Sequence, residues 1–213
     1  GKQFTVLWHV DDLKLSHMDE AVVEQIIAKL DERYGKEAPL VVTRGKVHDY
    51  LGMTLDFSVE GKVKVIMKDY IEDMLDELPL DMDGEAATPA SDHLFTVNEN
   101  PVLLDEETSQ MFHTNTAKLL FLSKRARPEI QTAVAFLTTR VRAPDQDDYK
   151  KLTRVMKYLR GSIDKTLTLE ADSMHIVKWW VDGSFAVHHD MKSHTGATMS
   201  LGKGSIYSTS VRQ

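Results

Sequence analysis

Cysteine is absent from the 213 residues, which excludes disulfides, thiolate metal centres and cysteine nucleophiles. No apolar run approaches the roughly 18 residues of a membrane span, and no signal-peptide pattern follows Gly1, so no membrane partner is expected. There is no Gly-x-Ser-x-Gly elbow. Gly202-Lys203-Gly204 lacks phosphate-loop spacing and reads as a turn, and Asp81-Met82-Asp83-Gly84 lacks the later ligands of an EF-hand. What remains is ordinary globular material, with 42% hydrophobic and 28% charged residues, neither disordered nor collagenous. The length exceeds one small domain and falls short of two comfortable ones. A cysteine-free chain is compatible with an intracellular location. An opening on Gly-Lys-Gln-Phe, straight into a strand-like run, reads as a piece of something longer.

Basic residues are also missing from one long stretch: none lies between Asp69 and Glu107. Residues 1–112 carry 10 Lys/Arg against 24 Asp/Glu, residues 113–160 carry 11 against 4, and residues 161–213 balance at 5 and 5. An acidic front joined to a basic helical middle raises the question of polyanions.

The periodicities predict an α+β chain. Phe4–Val10 and Leu13–Leu15 read as a hairpin turning at Asp11-Asp12. Asp19 caps a helix whose Val22, Val23, Ile26, Ile27, Leu30 and Tyr34 recur at helical spacing before Gly35. Leu40–Arg44, Val47–Val59 and Lys62–Met67 read as strands, and Asp69–Leu78 as a short acidic helix ended by Pro79. Residues 79–101 are polar and broken, suggesting a partly mobile connection. Helices follow over Glu107–Lys124, from Pro128 onward, and from Asp145 to Gly161. Leu167–Glu170, His175–Val181, Thr195–Leu201 and Ile206–Ser210 are strand-like. That last sheet has a bare face, which predicts self-association and a longer natural chain. Trp8, Trp179 and Trp180 read as core.

Adjacent carboxylates at a turn repel one another unless a cation intervenes. Asp11-Asp12 is therefore either a solvated acidic turn or a ligand pair for Mg²⁺ (or Mn²⁺), a hard cation that prefers carboxylate oxygen and leaves positions for phosphates. Lys150, Lys151, Arg154, Lys157 and Arg160 recur at helical spacing, with Lys124, Arg125, Arg127, Arg140 and Arg142 at helix ends. They suit phosphate contact or a solvated helix face. His188, His189, Asp190 and His194 read as a polar loop rather than a zinc site, because zinc needs fixed spacing on defined elements.

Trp8-His9-Val10-Asp11-Asp12-Leu13 resembles the Tyr-x-Asp-Asp hairpin of reverse transcriptases. His48-Asp49-Tyr50-Leu51-Gly52-Met53 is similar to the segment those enzymes place against the primer end. Lys118-Leu119-Leu120-Phe121-Leu122, Arg127-Pro128-Glu129-Ile130 and the Lys150–Gly161 helix follow in family order. Trp180-Val181-Asp182-Gly183-Ser184-Phe185-Ala186 and Lys192-Ser193-His194-Thr195-Gly196 are similar to the start of a ribonuclease H domain. Together they resemble the copia-type retrotransposon polyprotein, from reverse transcriptase mid-palm into ribonuclease H.

The resemblance implies a palm and thumb part over 1–78, a linker over 79–106, a helical connection over 107–161, and the first strands of a ribonuclease H-like sheet over 162–213. It implies that Asp11 and Asp12 are two of the polymerase carboxylates and Asp182 the first of the ribonuclease H carboxylates, each site using paired metals. Tyr50, Leu51 and Gly52, with Lys150, Lys151, Arg154 and Lys157, would contact substrate. The implied partners are an RNA template, a DNA primer and an RNA–DNA hybrid, in the cytoplasm within virus-like particles. His9 departs from the usual tyrosine. The other carboxylates of both sites have no counterpart in these residues, so neither activity is expected of this chain alone. The competing expectation is a non-catalytic remnant that binds nucleic acid or a protein through its basic helices.

Overall fold

The computed structural model describes residues 2–213. It is α+β, with antiparallel sheets and five helices among the described residues. β1 (Thr5–His9) and β2 (Asp12–Ser16) form an isolated hairpin, and α1 (Glu20–Tyr34) follows. β3 (Val47–Tyr50), β4 (Met53–Asp56) and β5 (Lys62–Ile66) make a meander that leads into α2 (Lys68–Asp76). α3 (Glu106–Ser123), α4 (Gln131–Thr138) and α5 (Gln146–Arg160) build the helical centre. β6 (Leu167–Ala171), β7 (Lys178–Ser184), β8 (His194–Ser200), β9 (Gly202–Lys203) and β10 (Tyr207–Arg212) complete the chain.

The helical centre holds the core. Leu152, Val155, Met156 and Leu159 repeat along α5 and are wholly buried against Phe112, Leu119, Leu122, Val134 and Leu137. Burying each such side chain stabilises the fold by roughly 1.5–3 kcal/mol. α5 begins where the sequence predicts. The Asp145 carboxylate accepts from the N–H of Asp147 and Asp148 at 2.8 and 2.9 Å, and the Asp148 carboxylate accepts from the Asp145 N–H at 3.1 Å. This reciprocal cap satisfies the donors that a helix start leaves free. Burial raises the Asp148 carboxyl, although the Arg140 fork beside it at 2.9 and 3.0 Å pulls the other way. Asp19 likewise caps α1, accepting from the Ala21 N–H at 3.1 Å.

Several expectations are corrected. Leu40–Arg44 forms no strand: the run pairs with no other strand among the described residues, and Val41 is 94% exposed. Val47–Val59 is not one strand but a hairpin, turning on Leu51 (φ 52°) and Gly52 (φ 73°). Positive φ at both central positions is the twist that matches two antiparallel strands. The segment 79–106 is no free connection. Met82 is fully buried and Leu94 nearly so, while the Ala86 N–H donates to the Lys157 carbonyl at 3.2 Å. It is a strap laid across α5. Nor does the division at residue 162 separate two sheets, because β6 pairs with β5 in a five-stranded order β3-β4-β5-β6-β9. Only β7, β8 and β10 form a sheet of their own, ordered β10-β8-β7. Trp8, Trp179 and Trp180 lie outside the core, at 75%, 53% and 53% exposed.

Candidate functional site

The hairpin β1–β2 closes through a two-residue loop, Val10-Asp11, between the paired residues His9 and Asp12. Val10 adopts φ 51°, a conformation that a β-branched residue takes only under strain. The Trp8 indole N–H donates to the Val10 carbonyl at 2.7 Å and holds the bend. Asp11 and Asp12 are both exposed, and neither carboxylate accepts a hydrogen bond or forms an ion pair among the described residues. Two free carboxylates on a held turn suit a hard divalent cation whose remaining positions go to water or phosphate. Among the described residues, no group of three or more His, Asp or Glu converges on a metal position, so these two would supply the protein's share alone.

Asp182 sits far along the chain on β7. Its register partner is Gly196, and cross-strand pairing puts Trp180, Asp182, Gly196, Thr198, Ser208 and Ser210 on one face of the three-stranded sheet. That face and the start of α4 enclose a cleft of about 750 Å³, into which Glu129, Gln131 and Thr132 also project. The Asp182 carboxylate accepts from the adjacent Gly183 N–H at 2.8 Å. No hydrogen bond or ion pair links it to Asp11 or Asp12 among the described residues. The two carboxylate-bearing hairpins are separate features.

Tyr50, Leu51 and Gly52 form the tip of the β3–β4 hairpin. A Cβ at Gly52 would lie 3.7 Å from the Phe121 ring on α3, so the tip rests against the helical centre. Gly52 also borders a cleft of about 300 Å³ with Asp49, Thr54, Lys68 and Asp73.

The cations of α5 are mostly engaged by the strap. Lys151 donates to the Thr96 carbonyl at 2.5 Å and pairs with Asp147 at 2.8 Å. Arg154 donates to the Thr88 hydroxyl at 2.8 Å. Arg160 donates to the carbonyls of Met82 and Gly84 at 2.8 and 3.2 Å and faces Asp83 at 3.6 Å, while Lys157 runs beside Gly84. Of the four basic substrate contacts expected on α5, Lys150 alone is exposed and without an ion pair among the described residues. Arg127 is only 1% exposed, which removes it from any phosphate surface, and Arg140 turns inward to Asp145 and Asp148.

The histidine cluster is not the polar loop that its composition suggests. His188 and His194 are buried, with His188 Nε2 3.0 Å from His194 Nδ1, and His189 alone points out to solvent. The signal that could have revealed the pair is its placement at the two ends of a loop entering β8, which a strand reading brings face to face.

The chain is thus an α+β protein with one free carboxylate pair on a strained hairpin and a third carboxylate in a cleft on another sheet. No family model matches it, and no solved structure does. Over 195 residues, 91% of this chain, it is 25% identical to a Saccharomyces cerevisiae protein described as "Putative transposon Ty5-1 protein". The chain spans 60% of that protein's length. It is therefore related in sequence to a transposon protein. No helix among the described residues is long and apolar enough to cross a membrane.

Proposed function

We propose that this chain is part of the reverse transcriptase and ribonuclease H region of a copia-type retrotransposon, with Asp11 and Asp12 on the polymerase hairpin and Asp182 on the first ribonuclease H strand. The observation that carries the reading is the free Asp11-Asp12 pair on the strained two-residue turn of β1–β2. Similarity to a transposon protein across 91% of the chain supports it, as do the motifs following in family order.

In this reading Asp11 and Asp12 hold Mg²⁺ or Mn²⁺, which would supply charge neutralisation for phosphoryl transfer when bound. The hairpin's part is to present unpaired carboxylates to solvent, where a phosphate can approach them. Val10 sets the bend, and the Trp8 indole fixes it. Asp182 faces the cleft beside Trp180, whose ring offers a stacking surface to a base. RNA template, DNA primer and RNA–DNA hybrid are the proposed partners, in the cytoplasm. The chain on its own is expected to extend no primer and cut no hybrid. The competing reading, a nucleic-acid-binding remnant working through the basic helices, is weakened by the strap over α5.

Paramagnetic broadening by Mn²⁺ tests the assignment. Amide signals of residues 8–14 should broaden at submillimolar Mn²⁺, and the effect should vanish in the double variant Asp11→Asn/Asp12→Asn. Broadening that persists in that variant, or that centres elsewhere, sinks the polymerase assignment.

A further inference from the structure

The β8 end of the three-stranded sheet meets α4 and the strap at a small polar chain, buried at its two histidines and open at Thr132. His188 Nε2 lies 3.0 Å from His194 Nδ1. His194 Nε2 lies 2.6 Å from the Ser210 hydroxyl oxygen, and that hydroxyl donates to Thr132 Oγ1 on α4 at 3.1 Å. The order of partners assigns the hydrogens. With Ser210 donating to Thr132, its oxygen accepts from His194 Nε2–H. His194 Nδ1 is then bare and accepts from His188 Nε2–H. Even if the chain ran the other way, only one hydrogen would fit between the two facing nitrogens.

The surroundings oppose added charge. Phe95 of the strap packs against both rings, at 4.8 Å from His188 and 5.0 Å from His194 between centroids. Phe136 of α4 backs Phe95 at 6.0 Å, and Lys151 of α5 sits over Phe136 at 4.5 Å. Arg212 on β10, its Nε buried and unpartnered, brings a fixed positive charge. Among the described residues, Asp190 is the negative group that acts on His188, and it is taken by Arg212, with Lys192 at 3.9 Å. His189, on the same loop, adds a further like charge when protonated.

We propose that His188 and His194 form an acid-sensitive latch that pins the β7–β8 loop to the first residue of β8, against Phe95 of the strap, while both imidazoles are neutral and frees the loop when the accepting nitrogen takes a proton. A proton there sets two N–H groups against each other across 3.0 Å in a buried site, so the bond is lost rather than strengthened. The latch bears on the cleft of Asp182 through the His194 ring, whose Nε2 stays on Ser210; Ser210 and Thr132 both line that cleft, and a ring freed from His188 can carry Ser210 with it. Release would shift the cleft wall beside Trp180.

The sign follows from burial, which lowers the affinity of both rings for a proton, with Arg212 adding to the effect at His188 and His188 adding to it at His194. The unfolded chain then binds more protons than the folded one below the ordinary value of 6.5. Stability is fully present above that pH and falls beneath it. Each excluded proton lowers the folding equilibrium constant roughly tenfold per pH unit, so the pair lowers it by up to about a hundredfold per pH unit.

The test is a titration of the whole chain from pH 8 to 5. Imidazole ¹⁵N shifts report the two rings, and urea midpoints with tryptophan fluorescence report the latch. The expected result is that both rings stay neutral to below 6.5, and that urea resistance and cleft fluorescence then drop together. His194→Gln should lose most of that pH dependence, whereas the exposed His189→Gln should keep it. Ordinary titration of both rings in the folded wild type, with no change in fluorescence, would overturn the proposal without recourse to any variant. So would an unchanged pH profile in His194→Gln.

Discussion

Replacing Arg127 by leucine should cost the fold about 3 kcal/mol. The guanidinium is only 1% exposed. Its Nε donates to Glu129 at 2.6 Å, Nη1 to the Ser162 carbonyl at 3.1 Å and Nη2 to the Ser162 hydroxyl at 2.5 Å. The plane also lies 5.6 Å from the centre of the Tyr158 ring. Breaking a wholly buried ion pair costs roughly 3–5 kcal/mol, but the Glu129 side chain is 36% exposed and water can take over its partner's role. The two bonds to the half-buried Ser162 are lost as well, and leaving such acceptors unmet adds a cost toward the lower end of roughly 1–3 kcal/mol. A total near 3 kcal/mol lowers the folding constant by about two decades and the melting temperature by roughly 6–12 °C in a chain of this size. Urea unfolding of Arg127→Leu beside Glu129→Gln is the assay. Glu129→Gln, which leaves Arg127 an acceptor, should cost less than about 1 kcal/mol. A wild-type midpoint for Arg127→Leu, together with weakened binding to an RNA–DNA hybrid, would refute the reasoning and return Arg127 to the phosphate surface.

Two further predictions concern the strap. Met82, the strap's own anchor, is fully buried, so Met82→Ala should destabilise the whole chain by roughly 2–5 kcal/mol. A loss under 0.5 kcal/mol on urea unfolding would show that the strap folds independently of α5. The Tyr149 hydroxyl donates to the Asp81 carboxylate at 2.8 and 3.0 Å, and burial, helped by that carboxylate, raises its pKa to about 12. Because the folded-state value is raised, the stability it contributes is present below pH 10 and is lost as pH climbs toward 12. The ultraviolet titration of wild type minus that of Tyr149→Phe isolates this group, and a midpoint near 10 would contradict the contact.

The helical centre was legible because local signals agree with one another there. Asp145 at the cap, Leu152, Val155, Met156 and Leu159 on one stripe, and Gly161 at the end all specify α5 before any partner is known. The strand turns were less so. Leu51-Gly52 has the glycine but not the Asn or Asp that marks a two-residue hairpin, and β9, only Gly202–Lys203, exists because β6 offers it an edge. The strap was illegible for a different reason. Met82 is a single apolar residue between two aspartates, and Leu94-Phe95 is an isolated pair in a polar run; neither has a period to betray it, and tertiary burial alone selects them.

The candidate site divides along the same line. A two-residue turn holding Asp11 is a local feature, so the free carboxylate pair could be placed from sequence. What a cation touches is not local. Lys151, Arg154 and Arg160 share a helical stripe, and the spacing shows only that they point the same way. Their partners are carbonyls and hydroxyls between Met82 and Thr96, inside the stretch between Asp69 and Glu107 that carries no lysine or arginine. A segment without a positive charge and a helix with a surplus of them are complementary within one chain. Hydrogen bonds made within one chain require no ordering of a second molecule, whereas association with a polyanion does. Those bonds hold three of the cations against the strap, and Lys150, which the strap leaves exposed, is where added phosphate should first be felt.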